Sequence, residues 1–272
     1  MADLEFVDTH CHIQISDYEV DPQLAYEAAH DAGVTRILCV GCTLEDSKQA
    51  IAFASQHDGV WATIGLHPHE AKEYIENDIA RQEFHSLASK PKVVAIGEIG
   101  LDYYYNHSDR TEQKEMLRFQ LTIAQEHNLP VIFHVRDGKG VDPLSKTSVW
   151  HDFWEIYDEF NLPGVIHSFS ASTIELEQIL ARGLFVGLNG IMTFTKDEAQ
   201  LDAARAVPLD RLLLETDAPY LTPTPYRGTI CQPKHVVTTA EFLSTLRNVP
   251  LEQLANASTL SAIKLFNLSK TL

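Results

Sequence analysis

Apolar runs recur along the whole chain, ending near His10, Val40, Gly65, Glu98, His134, His167, Gly187 and Asp217, and helical patterns fill the intervals between them. The runs lie about 20 to 40 residues apart, room for one strand, one helix and two loops, as alternating βα units require. Apolar residues at three and four spacing predict helices over Pro22 to Gly33, Leu44 to His57, Thr111 to Asn128, Ser172 to Gly183 and Lys196 to Val207. Eight such units with no Pro/Gly/Ser linker between them point to a closed (β/α)8 TIM barrel rather than an open sheet, within a single domain spanning 1–272. Two further helical stretches, Pro233 to Leu246 and Leu251 to Leu268, are expected to close the outer ring.

Composition narrows the function classes. Hydrophobic residues at 44% and charged residues at 22% are those of a globular enzyme. No apolar run approaches the roughly 20 residues needed to cross a bilayer, and MADLEFVDTH lacks a basic segment followed by an apolar one, so a cytoplasmic protein is expected. The four cysteines are too scattered for a disulfide framework. Cys39 and Cys42 have C-x-x-C spacing but no second pair, and read as core thiols at a strand end. A net charge of −17 opposes loose attraction to a polyanion. It leaves room for an enzyme that holds phosphates through divalent cations and a few basic groups.

The run VVAIGEIGLDYYY places the carboxylate of Glu98 at the end of a buried-type strand, where an ionised group needs a partner or a metal. The first run ends FVDTHCHI, and residues two apart on a strand share a face, so His10 and His12 can reach one ion. His134 ends LPVIFH, His167 ends GVIH and Asp217 ends LLLETD. In a β/α barrel the C-terminal strand ends gather at one mouth, so these six side chains converge. Four imidazoles and two carboxylates so placed call for cations between them. The expected arrangement is two divalent ions (Mg2+, Mn2+ or Zn2+) bridged by Glu98, with His10, His12 and Asp217 on one and His134 and His167 on the other.

Together FVDTHCHI, IGLHPH, IGEIGLDYY, QKEMLRFQLTIAQEHNLPVIFHVRD and LLLETDAPYL resemble the TatD family of metal-dependent deoxyribonucleases, within the amidohydrolase-like barrels. The resemblance covers nearly the whole chain. It implies a (β/α)8 fold, a divalent-metal site at His10, His12, Glu98, His134, His167 and Asp217, and hydrolysis of DNA phosphodiesters, commonly exonucleolytic on single strands. In related barrels a carbamylated lysine bridges the metals from strand four, and Glu98 would take that place. The resemblance also suggests weakly held Mg2+.

Two cations about 3.5 to 4 Å apart lower the pKa of a bridging water and polarise the phosphoryl oxygen. Asp217 is the candidate for orienting that water, with simple metal ligation as the alternative role. His67, Arg136 and Arg227 are candidate phosphate contacts, because a guanidinium fork can engage two oxygens. The alternatives are a His67 that caps the mouth, an Arg136 paired with Asp102 or Asp137, and an Arg227 that is a solvated loop charge. Tyr103, Tyr104 and Tyr105 are candidates for stacking bases.

The chain departs from the family pattern at HSFSAS, at TICQPKH, where Gln232 stands in place of a common Glu, and in the polar stretch Gly138 to Thr147, an expected exposed loop. These departures bear on substrate choice more than on hydrolysis. The leading expectation is a monomeric 3′–5′ exodeoxyribonuclease acting on single-stranded DNA. Its rivals are a metal-dependent hydrolase of a small ester, lactone, amide or phosphate ester, and a non-catalytic metal-binding scaffold.

Overall fold

The computed structural model describes residues 4–105 and 107–268. Its eight strands are β1 (Phe6–Cys11), β2 (Val34–Val40), β3 (Val60–Ile64), β4 (Val93–Asp102), β5 (Val131–Arg136), β6 (Gly164–Ile166), β7 (Phe185–Leu188) and β8 (Leu212–Leu214). They pair in parallel in sequence order. The helices are α1 (Pro22–Asp31), α2 (Leu44–Gln56), α3 (Ala71–Tyr74), α4 (Asp78–Leu87), α5 (Arg110–His127), α6 (Val149–Phe160), α7 (Thr173–Ala181), α8 (Glu198–Ala206), α9 (Val236–Arg247) and α10 (Leu251–Phe266). The barrel and the seven helices expected from periodicity are all found. The helices after β3 and β5 are additions: α4 follows two short turns, and α6 has an aromatic face of Trp150, Phe153, Trp154 and Tyr157.

Local chemistry sets the boundaries. Asp21 and Thr43 cap α1 and α2 with their side chains, and Asp109 with Glu112, like Ser172 with Glu175, forms a capping box. Asn128, Asn161 and Asn248 end α5, α6 and α9 in the left-handed conformation that Asn tolerates.

Closure between β1 and β8 runs through the backbone of candidate site residues. Asp217 N donates to His10 O at 2.8 Å, His12 N donates to Ala218 O at 2.7 Å, and Cys11 bridges Ala218 in parallel. The Asp8 carboxyl, pushed up to about 8 by burial, accepts from the Thr216 amide at 2.9 Å and hydroxyl at 2.6 Å. The same bonds that close the sheet therefore hold His10, His12 and Asp217 together.

Val7, Leu38, Ala95, Ile132, Val165, Phe185 and Leu213, each from a different strand, form one apolar cluster with Ala262, Leu265, Phe266 and Leu268. Alternation along the strands makes this the barrel interior. The end of α10 thus plugs the N-terminal opening, a more specific role than the expected place in the outer ring.

Candidate metal centre

All six expected ligands meet at the C-terminal mouth. Glu98 reaches it through an irregularity: the β4–β5 register shifts between Ile96 and Ile99, and such a bulge re-aims a side chain. At Gly100 (φ 152°) a Cβ would collide with the His134 carbonyl, so β4 and β5 can approach only with glycine there.

The two Glu98 oxygens face different imidazoles. Oε2 lies 3.4 Å from His10 Nε2, while Oε1 lies 2.7 Å from His134 Nδ1, 2.8 Å from His167 Nε2 and 3.5 Å from His67 Nε2. Asp217 Oδ1 is 3.6 Å from His10 Nε2 and 3.4 Å from His12 Nε2, and those two ring nitrogens are 3.1 Å apart. His12 lies one residue beyond β1, yet its Nε2 still faces that of His10 because His12 Nδ1 is tied to Val40 O at 2.9 Å. Asp217, three residues past β8, adopts φ 61°, a conformation Asp tolerates better than most residues.

The division between two groups of ligands is less clean than expected. His167 stacks on His10, centroids 3.9 Å apart, and its donor atom also falls within reach of His10 and Asp217. His67, expected as a phosphate contact, lies in a donor group with Glu98 and His134.

The electrostatics follow from crowding. Burial alone would raise Glu98, but His167, His67, His10 and His134 hold it well below the carboxylate range. Burial opposes charge on His167, yet Glu98 and Glu215 push its pKa well up. His134 and His12 likewise rise against burial through their carboxylate partners. Burial lowers His10, with His167 adding to the effect, and holds His67 down at about 4.

These donors fit a metal centre. His10 Nε2 and His12 Nε2 point at each other, and His10 Nδ1 and His167 Nδ1 are buried without a hydrogen-bond partner among the described residues. The converging Nε2 lone pairs of His10 and His12, which also face the Glu98 and Asp217 oxygens, are relieved when cations lie among them. Mixed imidazole and carboxylate donors suit Zn2+, Mn2+ or Fe2+.

Supporting residues surround these donors. Asp102, fully buried, holds His134 Nε2 at 3.0 Å through Oδ2. His69 Nε2 is also 3.0 Å from that oxygen but out of hydrogen-bonding alignment. Glu215 accepts from Ser168 N at 2.6 Å and sits 3.5 Å from His167 Nδ1. A Cβ at Gly187 would strike the Glu215 carboxylate, which accounts for the glycine one residue before the end of β7. The signal for Glu215 was its place two residues before Asp217 in LLLETD. Cys39 is a buried core thiol as expected, but Cys42 is not: its Sγ lies 3.6 Å from Glu98 Oε2, at the rim of the centre.

The two arginines stand apart from the ligands. Arg136 ends β5 and is exposed, its guanidinium 4.5 Å and 4.8 Å from the Tyr104 and Tyr105 centroids. It does not pair with Asp102, whose oxygens serve His134 and two backbone amides, nor with Asp137, which is turned to Ser148 and Val149. Arg227 lies over Phe194 at 3.9 Å and donates to Thr222 O at 3.0 Å, an exposed loop charge held in place. The segment 137–147 is an irregular, largely exposed loop, as expected.

A parallel barrel with a histidine and carboxylate metal centre at its C-terminal mouth defines a class, the metal-dependent hydrolases. Residues 7–267 match the TatD related DNase family, and the chain belongs to it. It is 37% identical over 271 residues to the uncharacterized metal-dependent hydrolase YcfH of Escherichia coli (strain K12), covering 96% of each chain. It is 39% identical over 214 residues to the 3'-5' ssDNA/RNA exonuclease TatD of Cronobacter sakazakii, covering 78% of this chain and 77% of that protein. The crystal structure of YjjV, a TatD homolog from Escherichia coli K12, superposes with a TM-score of 0.85 at 27% identity, covering 97% of this chain and 98% of that one.

Proposed function

We infer that this hydrolase cleaves phosphodiester bonds at the 3′ end of single-stranded DNA, as a one-domain monomer in the cytoplasm, with two divalent ions held at the mouth. The observation that carries this reading is the division of Glu98, one oxygen toward His10 and the other toward His134 and His167. His10, His12 and Asp217 would hold one ion, and His134 and His67 the other, with His167 between them. Ions bound there supply a water of lowered pKa and neutralise charge on the phosphoryl oxygens.

The chain's own groups do the rest. Asp102 fixes the His134 ring by gripping its far nitrogen, and Glu215 sits 3.5 Å behind His167 Nδ1 as a charge rather than a hydrogen-bond partner. Asp217, held below its ordinary pKa against burial by His12, His10 and His167, remains a carboxylate able to orient a water and accept its proton. Four cysteines without a disulfide among them accord with a reducing compartment. Among the described residues no helix is long and apolar enough to cross a membrane. The likeness to the Cronobacter exonuclease supports a nucleic-acid substrate.

The net charge of −17 favours a second reading, a small phosphate or carboxylic ester as substrate. End-labelled single-stranded DNA incubated with the purified protein and Mg2+, Mn2+ or Zn2+ separates the two. Stepwise shortening from the 3′ end is expected. An intact strand beside rapid cleavage of a small ester would overturn the nuclease reading.

A further inference from the structure

Beyond the metal centre, β4 runs into a turn carrying three consecutive tyrosines, and their environments differ. Tyr103 is 3% exposed, its hydroxyl bonded to Asp152 and its ring covered by Arg110. It cannot meet a ligand. Tyr104 and Tyr105 are 44% and 50% exposed, an unusual outlay of aromatic surface beside a buried polar site.

Three features make these two rings a built surface. Asp102 Oδ1 accepts the Tyr104 and Tyr105 amides, both at 2.9 Å, while Oδ2 of the same carboxylate holds His134. The turn and the metal centre are therefore positioned by one buried group. The β4–β5 register sets Arg136 opposite Asp102, and its guanidinium lies over both rings. A guanidinium held over aromatic rings still has N–H donors to offer a phosphate. Lastly, the two rings meet at 77° with centroids 4.8 Å apart, and His107 stacks on Tyr105 at 19° with centroids 5.7 Å apart.

We propose that Tyr104, Tyr105 and Arg136 form a stacking platform for an unpaired nucleobase of the bound strand, a reading that rests on the nuclease function inferred above. Every base has a π-face, so such a surface binds without regard to sequence. A base within a duplex is already stacked on both sides and reaches the platform only by unstacking, at a cost of a few kcal/mol. The platform thus selects single strands. It also gives Arg136 a role other than simple phosphate capture: its guanidinium lies over both rings of the platform.

The test compares two strands of equal length, oligothymidylate and its abasic counterpart, for binding to the Ca2+-loaded protein by anisotropy and for cleavage with Mn2+. The Tyr104→Leu/Tyr105→Leu double variant should weaken binding of the base-bearing strand about tenfold or more relative to the abasic one. Tyr105→Phe, which keeps the π-face, should keep the preference. Equal losses on both strands, or a wild type that binds both equally, would overturn the platform. A wild type that cleaves neither strand while hydrolysing a small ester defeats the nuclease reading, and the binding preference then decides the platform by itself.

Discussion

The two ends of the barrel are built from opposite materials. At the N-terminal end Val7, Leu38, Val165, Phe185 and Leu213 pack against the last turns of α10. At the C-terminal end five histidines and two carboxylates crowd together, with the Nε2 atoms of His10 and His12 turned toward each other. The first end is satisfied as it stands, and the second is satisfied only when cations join it. Stability should therefore respond mainly to changes at the plug, and chemistry to changes at the mouth.

Chelation probes that separation most strongly. Removal of divalent ions should reduce hydrolysis by about 1,000-fold or more, as expected when several kcal/mol of charge stabilisation are lost, with restoration on adding metal back. Circular dichroism should show the barrel retained. Phe266→Ala strikes the other end: a fully buried ring is lost from the plug, which should destabilise the fold by about 3 to 5 kcal/mol in urea titration. Activity per folded molecule should not change. A large loss of kcat in that variant would mean that the two ends are coupled.

Asp102→Asn should have an intermediate effect. Losing the carboxylate behind His134 is expected to weaken metal affinity or activity about 10- to 100-fold, read by metal titration. The same variant sharpens the pH account. Glu98, Asp102 and Asp217 are all held below their ordinary values of 4.5, 3.8 and 3.8. Carboxylates with depressed folded-state pKa values contribute stability in full above those ordinary values and lose it as pH falls toward the folded ones. The metal-free protein should therefore lose stability on acidification below about pH 4.5, with a shallower fall in Asp102→Asn. The smallest effect belongs to Arg227→Ala: an exposed charge stacked on Phe194 is worth about 0.5 to 1 kcal/mol, so the fold should lose no more than about that in urea titration.

Much of this contrast is legible in the chain. A buried parallel strand is a continuous apolar run, so the residue that ends it is conspicuous, and His134, His167 and Glu98 stood out for that reason. The capped helices α1, α2, α5 and α7 agree with their periodicity to within a few residues. Other features depend on tertiary contacts that no local pattern records. The bulge at Gly97 and Glu98 shifts the register without changing the hydrophobic pattern, so the apolar run points to a strand end at Glu98 although β4 continues to Asp102. Cys42 follows a core strand in sequence but turns its thiol to Glu98, and His67 closes on Glu98 only because the loop after β3 folds inward. The plug formed by α10 was hidden because an amphipathic helix reads the same on the outer ring as across the barrel's opening.

The central claim is that one carboxylate joins two ions, and metal stoichiometry in Glu98→Gln tests it most directly. Gln keeps the size and shape of Glu98 but has only one carbonyl oxygen to offer. Elemental analysis after equilibration with Mn2+ or Zn2+ should find up to two ions per wild-type chain. The variant should hold at most one, fold normally and lose hydrolysis. Two ions retained at wild-type affinity, with activity within tenfold of normal, would contradict the bridge.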